Sequence, residues 1–319
     1  MNLAALDLGS NSFHLLVARA SSSGSLTKLA SNKAVLRLGG VVQQHGCLPP
    51  AVFEQALESV GTMVAVARSF QAERTVAVGT SALRDASNGA EFCRAAWQRY
   101  GVAVELVSGK EEGELVYRGA RSAFAGRAER VAVIDIGGGS VEIAVGDGEN
   151  SDFVESLPLG FLRLAQVVGQ KDNLPAALES VRARVLSGSA EVAARLRALR
   201  PDAWVFSGGT ARALGKLLIA GPHGVAGATV RHVARELGKT KPKQLLELGV
   251  DETRVDTLAL GAAVFAALVE QFALSTLHVS SGGLREGLLL RELGRLRPVT
   301  VGAAPVRDIQ LASAPAWAL

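Results

Sequence analysis

With 319 residues, 48% of them hydrophobic, the chain can bury a sizeable core and favours two domains over one, and its net charge of +4 suits an anionic small ligand without the strong basic bias of a nucleic-acid binder. Its two cysteines, Cys47 and Cys93, lie outside any CxxC or Cys/His spacing, which excludes a disulfide framework or a zinc site and makes a reducing cytoplasm the expected home. A first strand starts directly after Met1, and the longest apolar run, LGAAVFAALV at 260–269, falls short of a bilayer span, so neither secretion nor a membrane partner is expected.

The opening stretch ALDLGSNSFHLLVA, at 5–18, reads as strand, tight turn and strand, with Asp7 closing the first strand and Ser10, Asn11 and Ser12 at the tip. A helix follows from about Pro49 to Phe70, then a strand at RTVAVG. Beyond that strand, GTSALRDASN places Arg84 in a loop where ligands of α/β sheets collect. A helix at NGAEFCRAAWQRYG has Asn88 as its N-cap, and a strand at VAVELVSG leads into the helix KEEGELVYRGARSAF, whose first turn carries Glu111 and Glu112. Acids at a helix start complement its dipole, a reading that accounts for at least one of the two.

At 130–146 the stretch RVAVIDIGGGSVEIAVG repeats the opening almost position for position: Asp135 aligns with Asp7, and Gly138, Gly139 and Ser140 with Ser10, Asn11 and Ser12. A repeat of this length implies duplicated architecture. The second half then predicts helices around 174–199, a strand AWVFSGG entering the helix TARALGKLL, and a strand LHVSSGG entering LREGLLLREL. The whole is α/β, each half a sheet flanked by helices, facing the other across a cleft. The domains are drawn at 1–122 and 123–298, with a tail at 299–319 packed back on the first.

Gly-, Ser- and Asn-rich turns expose consecutive N–H groups that cradle phosphate oxygens. Such residues also dominate ordinary turns, but two matched copies, each opening on an aspartate, favour a ligand site. Asp7 and Asp135 would repel phosphate unless a cation lies between, which implies Mg²⁺ or Mn²⁺; Glu142, on the same side of its strand as Ser140, joins them. Arg84 would fork onto a phosphate. Arg285, after Gly-Gly at a helix start, is a further anion partner, whereas Lys239, Lys241 and Lys243 read as a solvated loop. GGTARALGKL has the wrong spacing for a P-loop, and the triple glycine opens a strand rather than a helix, so a dinucleotide fingerprint fails.

The segments DLGSNSFHLLV, GTSALRDASN, SGKEEGEL, DIGGGSVE, SLPLGFLRL, SGGTARAL and SSGGLREGLL resemble, in order and spacing, the exopolyphosphatase and guanosine pentaphosphate phosphohydrolase family, from about residue 3 to residue 293. The resemblance implies two actin-like (ribonuclease H-like) domains related by duplication, with the active site between them. It implies hydrolysis of the terminal phosphoanhydride of inorganic polyphosphate, or of the γ-phosphate of pppGpp, with Mg²⁺ or Mn²⁺, by a homodimer. Carried onto this chain, Glu112 would serve the attacking water, and Asp135, supported by Glu142 and Asp7, would hold the metal. Ser10, Asn11, Ser12, Arg84, Gly138, Gly139, Ser140, Gly209, Thr210 and Arg285 would bind phosphates.

Two departures stand out. Glu114 occupies a place where the family often has arginine, and the chain has the short, two-domain form without the C-terminal HD-type domain, which points to short polyphosphates. A non-catalytic sensor of polyphosphate or (p)ppGpp is the rival from another class; a kinase is disfavoured by Glu112 and the ordered motifs.

Overall fold

Leu3, Ala4, Ala5 and Leu6 are all fully buried, so the first strand is apolar on both faces and needs a layer on each side. The computed structural model supplies them; it describes residues 1–296 apart from 22–23, 125, 127, 169–173 and 219–222, so the tail expected at 299–319 lies outside the described residues. The first half contains β1 (Asn2–Leu8), β2 (Ser12–Ala20), β3 (Leu26–Val35), α1 (Leu38–His45), α2 (Pro50–Ser69), β4 (Arg74–Gly79), α3 (Ser81–Asp85), α4 (Gly89–Tyr100), β5 (Val104–Leu106) and α5 (Gly109–Ser122). The second half runs through β6 (Arg130–Ile136), β7 (Val141–Asp147), β8 (Phe153–Leu157), α6 (Phe161–Val168), α7 (Leu174–Gly188), α8 (Ala190–Leu199), β9 (Ala203–Ser207) and α9 (Gly208–Leu217). It ends with β10 (Val225–Ala226), α10 (Gly227–Leu237), α11 (Pro242–Glu247), α12 (Val255–Gln271), β11 (Thr276–Val279) and α13 (Leu284–Leu296).

The repeat extends from the hairpin to the whole sheet. The first sheet has the order β3-β2-β1-β4-β5, and the second contains the same plan as β8-β7-β6-β9-β11, with β10 added at its edge. In each, an antiparallel meander of three strands continues into parallel strands. Each hairpin therefore ends at the carboxyl end of its sheet's first strand, where the parallel strands also deliver their loops.

The last helix of each half is buried against the other half. Val116, Tyr117 and Ala120 of α5 pack on Val131, Val133, Ala144 and Val205 of the second sheet. Leu288, Leu289 and Leu293 of α13 pack on Leu3, Ala5, Leu16 and Val78 of the first; each such leucine contributes roughly 2 kcal/mol of burial. Their crossing needs glycine: a Cβ on Gly119 would fall 1.9 Å from the Gly283 carbonyl oxygen, and one on Gly287 1.8 Å from that of Leu115. Helix packing this close thus ties the two sheets together directly behind the cleft.

Two expectations change. GTSALRD forms the short helix α3 instead of a loop, and VAVELVSG shrinks to the three-residue β5. That strand is the edge of its sheet, with Glu105 and Leu106 exposed, so it has little burial to extend it. Asn88 does precede α4, but its side chain bonds Leu48 N and O instead of capping the helix.

Candidate active site

The two hairpin tips touch. A Cβ on Gly138 would lie 3.4 Å from Asn11 Cβ, and one on Gly139 only 2.3 Å from Ser81 Oγ and 2.8 Å from Ser10 Oγ, so side chains there would prise the halves apart. Below the tips lies a polar cleft of about 110 Å³. The hairpins furnish Asp7, Ser10, Asn11, Ser12 and His14 from one side and Asp135, Gly138, Gly139 and Ser140 from the other. The starts of α5, α9 and α13 add Glu112, Gly209, Thr210, Arg212, Arg285 and Glu286, and Arg254 closes the rim.

One wall is acidic and almost dry. Glu112 and Glu142 are buried, and Gly113 lets α5 lie on β8, where an added Cβ would meet Val154 Cγ1 at 2.5 Å, with Glu142 beside it. Burial, reinforced by the Glu142 charge, pushes Glu112 well above the usual carboxylate range; burial and Asp135 push Glu142 to about 7. Asp7 likewise rises to about 7, chiefly through burial, and Asp135 rises for the same reason although the Ser207 hydroxyl donates to it. Close carboxylates that cannot all ionise retain a proton or recruit a cation.

Glu142 Oε1 accepts from Ser156 Oγ at 2.8 Å, but Oε2 of Glu142 and Oε2 of Glu112 are buried without any hydrogen bond. Arg84 Nη1 stands 3.6 Å from Glu112 Oε2, close enough to attract and too far to hydrogen-bond, because Arg84 donates to the Val107 carbonyl at 2.7 Å. Buried oxygens left open in this way call for a missing partner. Among the described residues no group of three or more His, Cys, Asp or Glu side chains forms a metal cage, so Asp135, Glu142 and Asp7 are not gathered as a ligand trio. The donors fit the manner of Mg²⁺ instead, which takes one or two carboxylates plus waters and substrate phosphates.

The same cleft also carries a cationic lining. Arg212, Arg254 and Arg285 line the cleft, and among the described residues none has a carboxylate within 4.0 Å or a side-chain hydrogen bond. Burial and the neighbouring Arg285 hold Arg212 below its ordinary range. His14 is driven far down, first by burial and then by Arg285 and Arg212, so it is neutral at physiological pH. Its Nε2 shares a 2.9 Å hydrogen bond with Ser12 Oγ. Unpaired guanidinium groups facing a glycine-lined cradle make a site for a multiply charged anion.

The sequence profile of the Ppx/GppA phosphatase family matches residues 16–296. The chain belongs to this family. It is 28% identical to the guanosine-5'-triphosphate,3'-diphosphate pyrophosphatase of Vibrio vulnificus over 96% of its own length but 62% of the relative's. Exopolyphosphatase 1 of Mycobacterium leprae is 29% identical, with 92% of this chain and 90% of the relative covered. The crystal structure of the Aquifex aeolicus Ppx/GppA family member superposes with a TM-score of 0.76 at 26% identity over 92% of this chain and 98% of that one. The fold is accordingly that of the Ppx/GppA proteins, an α/β chain whose two sheets share one strand order. No helix among the described residues is long and apolar enough to cross a membrane.

Within this family frame, most residues singled out in the sequence line one cleft. Arg84 and Glu142 stand just behind it: Arg84 beside Glu112, and Glu142 beneath α5. Glu111 is the dipole acid, since it and Ser108 form a reciprocal capping box. Arg84 does not pair with Asp85, which binds Arg163 instead. Arg212 and Arg254 escaped sequence reasoning. Arg212 lies within the motif SGGTARAL, whereas Arg254, in the turn Glu252–Arg254, has no local signal.

Proposed function

We propose that the cleft removes the terminal phosphate from an oligophosphate anion by attack of water, with inorganic polyphosphate as substrate and Glu112 as the base. The observation that carries this reading is Glu112 Oε2: buried, without a hydrogen bond, raised in basicity, and in the same cleft as three unpaired arginines. A raised carboxylate is a better proton acceptor near neutral pH, and such assistance contributes roughly 10² to 10⁴ in rate. The glycine hairpins fix the phosphoryl group, and the arginines neutralise charge on the phosphates behind it; phosphoryl transfer needs little more than position and charge compensation.

Mg²⁺ or Mn²⁺, held by Asp135 with at most one of Glu142 and Asp7 and otherwise by waters and substrate oxygens, would supply charge neutralisation at the transferred phosphate. The names of the Vibrio and Mycobacterium relatives support two substrates, pppGpp and polyphosphate, and the shared chemistry is a terminal phosphoanhydride. The cytoplasmic location and the homodimer implied by the family resemblance belong to the same proposal. Free phosphate released from tripolyphosphate, long polyphosphate and pppGpp, each titrated with Mg²⁺ and Mn²⁺, tests it. Release from at least one substrate is expected; release from none, with binding retained, would make the cleft a sensor.

A further inference from the structure

The motif SLPLGFLRL has no role in the chemistry above, yet its turn seizes the second hairpin from behind. Phe161 N donates to the Gly137 carbonyl at 3.2 Å, Leu162 N to that of Gly138 at 2.9 Å, and Arg163 Nε to that of Gly139 at 2.9 Å. Three consecutive hairpin carbonyls are therefore drawn to one side. In a planar trans peptide the next residue's N–H points the opposite way. The amides of Gly138, Gly139 and Ser140 are thus turned toward the cleft that these residues line, and among the described residues none of the three has a hydrogen-bond acceptor. Gly160 makes the approach feasible, since a Cβ there would meet the Gly139 carbonyl carbon at 2.3 Å.

Arg163 also reaches the other half behind the cleft. Its Nη2 pairs with Asp85 at 2.6 Å and lies 3.4 Å from Ser81 Oγ, both in α3 of the other half. One guanidinium hence binds a hairpin carbonyl of its own half and a carboxylate of the opposite half. Beside it lies a second cavity of about 130 Å³, whose wall includes Gly138, Gly139, Ser81, Asp85 and Arg163.

We infer that Arg163 is a positioning residue: it aims the Gly138–Ser140 amides at the phosphate only while Asp85 holds it, coupling contact between the halves to the shape of the phosphate cradle. The inference rests on the proposed phosphate chemistry. A comparable turn in the first half provides a control. There Gly39 N and Arg37 N hold the Ser10 and Asn11 carbonyls, but through backbone alone, and the Arg37 side chain merely makes an exposed ion pair with Asp256.

The test compares Arg163→Gln, Arg163→Lys, Asp85→Asn, the Arg163→Gln/Asp85→Asn double variant and Arg37→Gln. Each is measured by thermal melting, calorimetric binding of tripolyphosphate with Mg²⁺, and kcat and KM for phosphate release. Arg163→Gln should weaken binding and raise KM roughly tenfold or more, the scale of a lost charge-assisted hydrogen bond, while kcat changes less because the cradle grips substrate and transition state alike. Asp85→Asn should do less and add nothing in the Arg163→Gln background. Arg163→Lys should recover part of the affinity, as a point charge can meet Asp85 but cannot fork to Gly139 as well. Arg37→Gln should stay near wild type.

Wild-type binding and KM in Arg163→Gln, or losses from Asp85→Asn that simply add, would overturn the inference. If Arg163→Gln fails to fold, Asp85→Asn and Arg163→Lys decide by the same readouts. Should the wild type release no phosphate, the hydrolase reading fails and the binding arm still decides this one; absence of binding as well defeats both.

Discussion

Opposite Asp7 on the first hairpin stands His14, and opposite Asp135 on the second, at the matching position, stands Glu142. Burial acts on both in the direction of neutrality, driving His14 far down and raising Glu142 to about 7. His14 then offers only a hydrogen bond to Ser12, whereas Glu142 joins Glu112 as an acid pair with two open oxygens. A second contrast lies among the helix acids: Glu286 of α13 is tied down, accepting from Gly283 N at 2.9 Å, as Glu111 of α5 accepts from Ser108 N, while Glu112 next to it keeps an open oxygen. Duplication supplied two equal backbones, and side-chain differences left each half with one open carboxylate, Glu112 from the first and Glu142 from the second. The arginines of α9, α13 and the Glu252–Arg254 turn, all from the second half, add the cationic lining.

The strongest way to break the symmetry is at the helix crossing. Gly119→Ala places a methyl 1.9 Å from the Gly283 carbonyl, so α5 and α13 must separate. A loss of at least 1–3 kcal/mol, the usual range for overpacking, is expected in denaturant or thermal melting; an unchanged melt would mean that the helices do not cross as described.

The cationic lining comes next. Arg212→Gln and Arg254→Gln should each raise KM by roughly 10- to 100-fold, as expected for lost charge-assisted bonds to phosphate, with a shallower dependence on salt. A fall in kcat at unchanged KM would instead place them at the reacting phosphoryl group.

Matched positions should also respond oppositely to pH. Asp7 and Glu142 bind protons more tightly folded than unfolded, so their contribution to stability is complete below about pH 4 and is lost as pH rises through about 7. His14 is depressed from its ordinary 6.5, so its contribution is present above that value and declines as pH falls below it. In metal-free protein, Glu142→Gln should flatten the alkaline side of a melting-temperature profile and His14→Asn the acid side. Parallel profiles for both variants would contradict these assignments. Mg²⁺ should stabilise the wild type increasingly as pH rises through about 7, and Glu142→Gln less.

Much of this was legible in the chain because the repeat lies in contiguous residues. Asp7 through Ser12 and Asp135 through Ser140 carry turn chemistry and strand flanks in one window, and Glu112 sits at a helix start marked by its capping serine. What stayed hidden depends on tertiary contact. Hydrophobic periodicity shows that α5 and α13 have buried faces and is silent on which sheet covers them, so their exchange could not be read. Arg254 reaches the cleft from a turn with no phosphate motif around it. GTSALRD offers only one helical turn, too short for periodicity to register, so the sequence around Arg84 reads as a loop.

The most direct test of the divided site is phosphate release from tripolyphosphate and pppGpp by Glu112→Gln beside Glu286→Gln, both checked for binding by calorimetry. The account predicts that Glu112→Gln binds substrate but loses roughly 10² to 10⁴ in kcat, while Glu286→Gln, altering a helix-cap acid, stays within about tenfold of wild type. Equal losses in the two variants, or an undiminished rate in Glu112→Gln, would contradict it.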